Sequence, residues 1–278
     1  MALTSSGQID LNAIHVEAGG SSGSQAAMND SDIRAMIGKG SSSQNAFNEY
    51  YSVSASAPSA TYKGRVINTG NGFPSGYVTL SSGSKLVVVT LQLAGPGNTM
   101  CLLGNPNLTG VYMTLAAKQD TAAPAPLWPN QVTSAIYYAV SSLSGSVYIT
   151  GTGGSGRSVL HVWEITGYNS STPVSTASVR NTDSNSFSKA ISLSTQYNGV
   201  TIGSGITEDT IPADNGGVTV SNSDSLQQRD LELATNHYTW RDENTPSGTR
   251  SYTCTNNGTG NGYISSGTTH HLTAAHWK

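Results

Sequence analysis

The densest group of metal-ligand residue types in the chain is His270, His271 and His276. In an extended segment His270 and His276 share one face and His271 takes the other. At ~3.3 Å per residue, the two on one face stand roughly 20 Å apart. One chain does not close a site with both, and only a ring of one histidine about an oligomer axis would hold an ion. Edge histidines are the simpler expectation, so no metal and no cofactor is assigned. His161 alternates with Val159, Trp163 and Ile165, which suits a hydrogen-bonded core histidine better than a ligand.

Serine and carboxylate chemistry points no further. No Gly-x-Ser-x-Gly elbow leads from a strand into a helix, and Gly153-Gly154-Ser155-Gly156 reads as a turn. The run from Gly151 to Gly156 lacks the Lys-Ser/Thr ending of a phosphate loop. Glu164, Glu208, Asp209, Asp214, Asp230, Glu232, Asp242 and Glu243 are the carboxylates available for glycoside cleavage. That reaction needs two of them facing each other at about 5 Å or about 6.5–9.5 Å. Glu208-Asp209 and Asp242-Glu243 sit beside turn residues, where solvated loop charge is expected. No catalytic residue is assigned.

Aromatic residues are better binding candidates. Tyr outnumbers Phe, 13 to 3, and a tyrosine ring joins apolar area to a polar tip, which suits sugar faces and wet interfaces. Tyr137, Tyr138 and Tyr148 fall within strand-like runs and are expected in the core or between sheets. Tyr168, Tyr197, Tyr238, Trp240 and Tyr263 fall nearer turns or strand ends and are the candidate receptor contacts.

The elements that carry these side chains are β-strands. Lys85 to Leu93 is apolar on both faces at its centre, as in a central strand. Further strands are read at 110–115, 132–140, 146–150 and 159–166, then around 187–193, 199–202, 217–220, 226–240, 249–255 and 270–277. In the strand at 159–166, Val159, His161, Trp163 and Ile165 share one face, and Leu160, Val162, Glu164 and Thr166 the other. Gly, Asn and Pro punctuate nearly every gap, the mark of a sandwich or barrel.

The first fifty residues differ. Asn12 precedes a helix-like run at 13–18, Asp30 or Ser31 one at 32–37, and Gln44 or Asn45 one at 46–51. Ile14 and Ile33, 19 residues apart, each precede a basic residue, and Phe47 takes the corresponding place in the third unit. Helices this short do not persist alone, so their apolar residues pack on one another or on a partner. The expected plan is a docking module over 1–55, a linker over 56–60 and one β-sandwich domain over 61–278.

Composition agrees. The 278 residues include 41 Ser, 31 Thr, 21 Asn and 31 Gly, while charged residues are only 10% and the net charge is -3. That balance lacks the basic surface a nucleic-acid binder needs. Hydrophobic residues reach 36% and gather in runs, unlike a disordered chain. No 18-residue apolar stretch suggests membrane insertion, and the first residues read as no signal peptide, so synthesis in a cytoplasm is expected. Cys101 and Cys254 allow a disulfide, but two reduced core residues are the favoured reading.

Two stretches resemble a known family. Ser6-Gly7-Gln8-Ile9-Asp10-Leu11-Asn12-Ala13-Ile14, then Asn29-Asp30-Ser31-Asp32-Ile33-Arg34, then Glu49-Tyr50-Tyr51, is similar to a short repeat module of tailed-bacteriophage virion proteins. Leu86 to Val89, Ala135 to Val140, Trp163 to Ala177 and the closing Ala274-Ala275-His276-Trp277 resemble a β domain of phage tail and fibre proteins. The charged stretch from Leu226 to Pro246 departs from that pattern. The resemblance implies an all-β virion protein without catalytic residues: a jelly-roll-like antiparallel β-sandwich behind a small module of short helices.

The expected function is therefore structural: a tail fibre, tip or hub-associated adhesin. Ile14, Ile33 and Phe47 would dock the module onto other virion proteins, and the sandwich would contact a host surface glycan or protein. A homo-oligomer is expected, a trimer first. The alternatives are a capsid decoration or head-fibre protein and a polysaccharide-degrading tail enzyme.

Overall fold

The structure is a computed structural model. It describes residues 3, 8–18, 21–37, 39, 44–50, 57–69, 73–96, 104–120, 130–152, 157–181, 188–196, 198–208, 218–231, 235–246, 248–256 and 269–278.

The N-terminal units are short, as their caps and glycines require. Helix α1 (Leu11–Glu17) is capped by Asp10, whose Oδ1 accepts from the Ala13 amide at 2.7 Å. Asn12, the expected cap, instead accepts from the Gly23 amide at 2.8 Å and so ties down the following loop. Helix α2 (Ser31–Ala35) follows Asp30, and Phe47–Tyr50 forms a 3-10 turn. Leu3, Ile14, Ala18, Ile33 and Tyr50 are buried together as a core of their own.

Every remaining described element is a strand. The first half holds β1 (Ser59–Asn68), β2 (Ser75–Leu80), β3 (Lys85–Pro96), β4 (Gly104–Leu108), β5 (Val111–Tyr112), β6 (Thr114–Asp120), β7 (Asn130–Ser141), β8 (Gly145–Thr152) and β9 (Arg157–Thr166). The second half holds β10 (Ser175–Asn181), β11 (Ser188–Thr195), β12 (Gly199–Glu208), β13 (Val218–Val220), β14 (Ser225–Leu231), β15 (Thr235–Thr245), β16 (Gly248–Asn256) and β17 (Thr269–Trp277). β1 begins within the stretch read as linker. The single strand expected around 226–240 is two antiparallel strands, β14 and β15.

Four antiparallel sheets result. The first sheet runs β1-β9-β3-β7-β6, the second β2-β8-β4-β5, the third β10-β17-β12-β15-β14 and the fourth β11-β16-β13. The first and second close over Val66, Val78, Val87, Val89, Ile149 and Leu160. The third and fourth close over Ile191, Leu193, Tyr238, Trp240, Tyr252 and Leu272. Between the two sandwiches, Leu86, Val88, Trp163 and Ile165 of the first sheet meet Val200, Ile202, Ala275 and Trp277 of the third. The layers thus stack second, first, third, fourth, and the two inner sheets are covered on both faces. That is why β3 is apolar on both faces.

The all-β sandwich class is therefore what the chain folds into, but residues 61–278 hold two stacked sandwiches rather than one. Both follow one topology. β10, β17, β12, β15 and β14 occupy the places of β1, β9, β3, β7 and β6, while β11, β16 and β13 occupy those of β2, β8 and β4. In the first copy the interleaving of β1-β9-β3-β7 with β2-β8-β4-β5 is that of a jelly roll. β5 has no partner in the second copy among the described residues.

Candidate functional site

A polar group of side chains gathers where the two sandwiches meet. On β9 the face with His161 and Trp163 turns to the third sheet, while Leu160 and Val162 turn to the second, as the period-two reading requires. Beyond the apolar end of this interface lies a polar row. Gln92 Nε2 donates to Ser204 Oγ at 2.5 Å and to Thr90 Oγ1 at 3.0 Å. Ser134 Oγ donates to Ser204 Oγ at 2.9 Å and accepts from Thr273 Oγ1 at 3.0 Å. Trp163 Nε1 donates to Thr239 Oγ1 at 3.1 Å, and Thr239 Oγ1 donates to the Gly203 carbonyl at 2.7 Å. These hydrogen bonds offset the cost of taking the polar groups out of water.

His161, His237 and His271 belong to the same packing. His161 Nδ1 meets the Tyr62 hydroxyl at 2.9 Å. Burial pushes its pKa down to about 3, and His237 and Arg65 add to the shift. His237 is also held at about 3 by burial. His276 lies on the other face of the third sheet, where its Nε2 accepts from the Gln196 amide at 2.9 Å and its Nδ1 meets Thr201 Oγ1 at 3.1 Å. Burial pushes it down to about 4, with Lys278 contributing. His271 is buried on the face opposite His276, and His270 is described for its backbone alone. No three His, Cys, Asp or Glu side chains come together as a metal site among the described residues.

The carboxylates are placed as packing partners too. Glu164 accepts from the Ser81 amide at 2.7 Å and pairs with Lys63 at 3.2 Å. Asp242 accepts from Tyr252 Oη at 2.8 Å and from Arg250 Nε at 2.9 Å. Glu243 accepts from the Ala60 amide at 2.5 Å and from Ser59 Oγ at 3.0 Å, and so ties the third sheet to β1. Asp209, Asp214 and Glu232 lie outside the described residues, and Glu208 and Asp230 are described for their backbone alone. Cys254 is a buried free thiol, pushed up to about 12 by burial; Cys101 lies outside the described residues.

Two of the five expected receptor contacts are placed otherwise than the sequence suggested. Tyr238 and Trp240 are fully buried in mid-β15, facing the fourth sheet, so they are core residues and reach no surface partner. Tyr168 is half-buried against the Trp163–Trp277 cluster. Tyr197 and Tyr263 lie outside the described residues. Ile14 and Ile33, expected to dock the module, are buried within it, whereas Phe47 and Val16 are each 43% exposed.

Exposed tyrosines occur instead on the second sheet. Tyr77 of β2 and Tyr148 of β8 are directly paired across the strands, with ring centroids 5.1 Å apart at 62°. Tyr112 of β5 stands on the same outward face, because its neighbour Val111 packs inward. The three are 69%, 41% and 77% exposed. Tyr148 was expected inside, and Tyr77 and Tyr112 were not singled out. The signal was present: in Tyr77-Val78-Thr79-Leu80 and Val147-Tyr148-Ile149, period two sends the aliphatic residues inward and the tyrosines out.

Comparison with family models, with curated proteins and with solved structures returns no match to this chain. Among the described residues, no helix is long and apolar enough to cross a membrane.

Proposed function

We propose that the chain is a non-enzymatic structural protein of a tailed-phage virion, acting in the tail as a fibre, tip or hub-associated adhesin. The observation that carries this reading is how its parts are used. Among the described residues, His161, His237, His276, Glu164, Asp242 and Glu243 are taken up in packing within and between sheets, while Tyr77, Tyr148 and Tyr112 stand on an outer face. A protein built this way offers surface rather than reactive groups. The separately cored N-terminal module supports an anchoring role, as does its resemblance to the phage repeat pattern. Within that module the docking surface falls to Phe47 and Val16, since Ile14 and Ile33 hold the module together. Several copies per particle, a homotrimer in the simplest case, would raise weak contacts by effective concentration.

Immunogold electron microscopy of phage particles, with antibody raised against residues 61–278, tests the reading. Label at the distal tail is expected, and deletion of residues 1–55 abolishes it. Label over the head reassigns the protein to capsid decoration. Absence of label from every particle overturns the virion assignment.

A further inference from the structure

We propose that the outward face of β2, β8 and β5 binds a neutral oligosaccharide through Tyr77, Tyr148 and Tyr112. This rests on the reading of the chain as a surface-binding protein and names the site and the class of ligand.

The two copies of the jelly-roll topology supply the comparison that isolates this face. β11 and β16 hold the places of β2 and β8. Leu80 pairs with Gly145 where β2 meets β8, and Thr195 pairs with Gly248 where β11 meets β16. Three residues back from each, Tyr77 pairs with Tyr148 and Ser192 pairs with Ser251. The serine hydroxyls meet at 2.5 Å and both residues are exposed. The fold therefore closes at this register with two serines, and the tyrosines are not required to build the sheet. Val78, Val147 and Ile149 in one copy and Ile191, Leu193 and Tyr252 in the other are buried beneath this register, while the outward pair is two tyrosines in one and two serines in the other.

The chemistry of the face selects its partner. Around the tyrosines stand Ser75, Thr79 and Ser146, all exposed, with Thr150 and Asn107 half-buried. None of these outward residues is charged. A phosphate-bearing nucleic acid or an anionic lipid surface needs Lys or Arg, and so does an acidic sugar. A neutral sugar offers what matches: C–H faces that stack on aromatic rings, and hydroxyls that exchange hydrogen bonds with Tyr, Ser, Thr and Asn. Thr150 pairs with Asn107 and Asn107 with Tyr112. Tyr112 thus lies two strands across and two residues along from Tyr148, about 12 Å away on a flat sheet. A single sugar ring does not bridge that span, and a short chain of rings does.

Affinity electrophoresis of the full chain tests the site. Separate gels carry dextran, mannan, a galactan or a β-glucan as neutral polymers and polygalacturonate as the acidic one. Retardation by at least one neutral polymer and none by polygalacturonate is expected. The Tyr77→Ala/Tyr148→Ala variant lowers the affinity about tenfold or more, Tyr112→Ala lowers it less, and Ser192→Ala/Ser251→Ala leaves it unchanged. All these positions are exposed, and an unaltered thermal midpoint verifies that each variant is folded. No retardation by any neutral polymer, retardation by polygalacturonate alone, or undiminished binding by the double tyrosine variant overturns the proposal. So does a tyrosine-dependent dimer in sedimentation, which gives the face to a second copy of the chain. Particle labelling is independent of all these readouts: a labelled tail without sugar binding sinks the site and leaves the virion assignment standing.

Discussion

Gly203 of β12 and Trp240 of β15 are direct cross-strand partners, and the indole lies over the glycine where any side chain would stand. Gly205 and Tyr238 repeat the relationship two residues along, and the two rings stack with centroids 6.1 Å apart. Gly203-Ser204-Gly205 thus leaves one face bare for large rings and puts Ser204 on the other, where Gln92 and Ser134 bond to it. A methyl group at Gly203 has to displace the indole in a packed core, which costs about 1–3 kcal/mol. Gly203→Ala is expected to lower the urea midpoint and shift tryptophan fluorescence. Ser194→Ala on the exposed face should stay within about 0.5 kcal/mol of the parent. Equal midpoints for the two variants would show that the ring moves freely.

Acid should destabilise the protein. His161 and His237 are neutral in the folded state because burial lowers both to about 3, whereas unfolded imidazoles titrate near about 6.5. Above that pH neither state binds the protons. Between the two values unfolding takes up one proton per histidine, so stability falls as pH falls, by about 1.4 kcal/mol per pH unit for each. Urea midpoints measured from pH 7.5 down to 4.5 should decline, and His161→Gln should shallow the slope by about one proton. A midpoint indifferent to pH over that range contradicts the burial of these rings.

Lys85 acts as an internal clamp. It is 1% exposed, and its Nζ donates to the carbonyls of Ser81 at 2.5 Å, Gly83 at 3.0 Å and Leu143 at 2.6 Å, with Glu164 at 3.9 Å. Lys85→Met fills the volume but removes the donors and leaves Glu164 with a poorer partner set. The expected loss is about 3–5 kcal/mol. Lys63, more exposed, also pairs with Glu164, and Lys63→Met should cost about 1 kcal/mol or less. Chemical denaturation of the two variants measures the difference, and equal costs would mean that the three carbonyls find other donors.

Side-chain periodicity made the inner sheets legible. The alternation on β9 predicted which residues share a face, and the continuous apolar run of β3 predicted a strand covered on both sides. Tyr238 and Trp240 read as strand-end residues because 226–240 reads as one strand, whereas β15 runs on to Thr245 and sets both rings in its middle. On β15 they alternate with His237, Thr239 and Arg241, a polar face that reads as solvent. Here it meets a second polar face instead: Thr239 bonds Trp163, and Arg241 Nη1 donates to the Ala60 carbonyl. The repeated jelly roll was invisible for a related reason. The copies share strand order but not side chains, as Tyr77–Tyr148 against Ser192–Ser251 shows, so no period appears in the sequence. The tyrosine face was missed because β2 lies between turn-rich stretches and was not read as a strand.

The N-terminal module should fail separately from the sandwiches. Its core is a handful of residues around Ile14, Ile33 and Tyr50, braced where Asn45 Nδ2 donates to the Met28 carbonyl at 2.7 Å and to Tyr50 Oη at 2.8 Å. A unit this small is marginally stable. Removing most of a buried isoleucine costs about 2–5 kcal/mol, as much as such a core supplies. In Ile14→Ala, hydrogen exchange should therefore accelerate across α1 and α2 while β3, β9, β12 and β17 keep their protection. Loss of protection spreading into β3 and β9 would make module and sandwiches one cooperative unit and remove the basis for a separate anchor. Phe47→Ala supplies the complement. Its ring is exposed, so protection in the module should be unchanged, and any loss of particle incorporation then reports on docking alone.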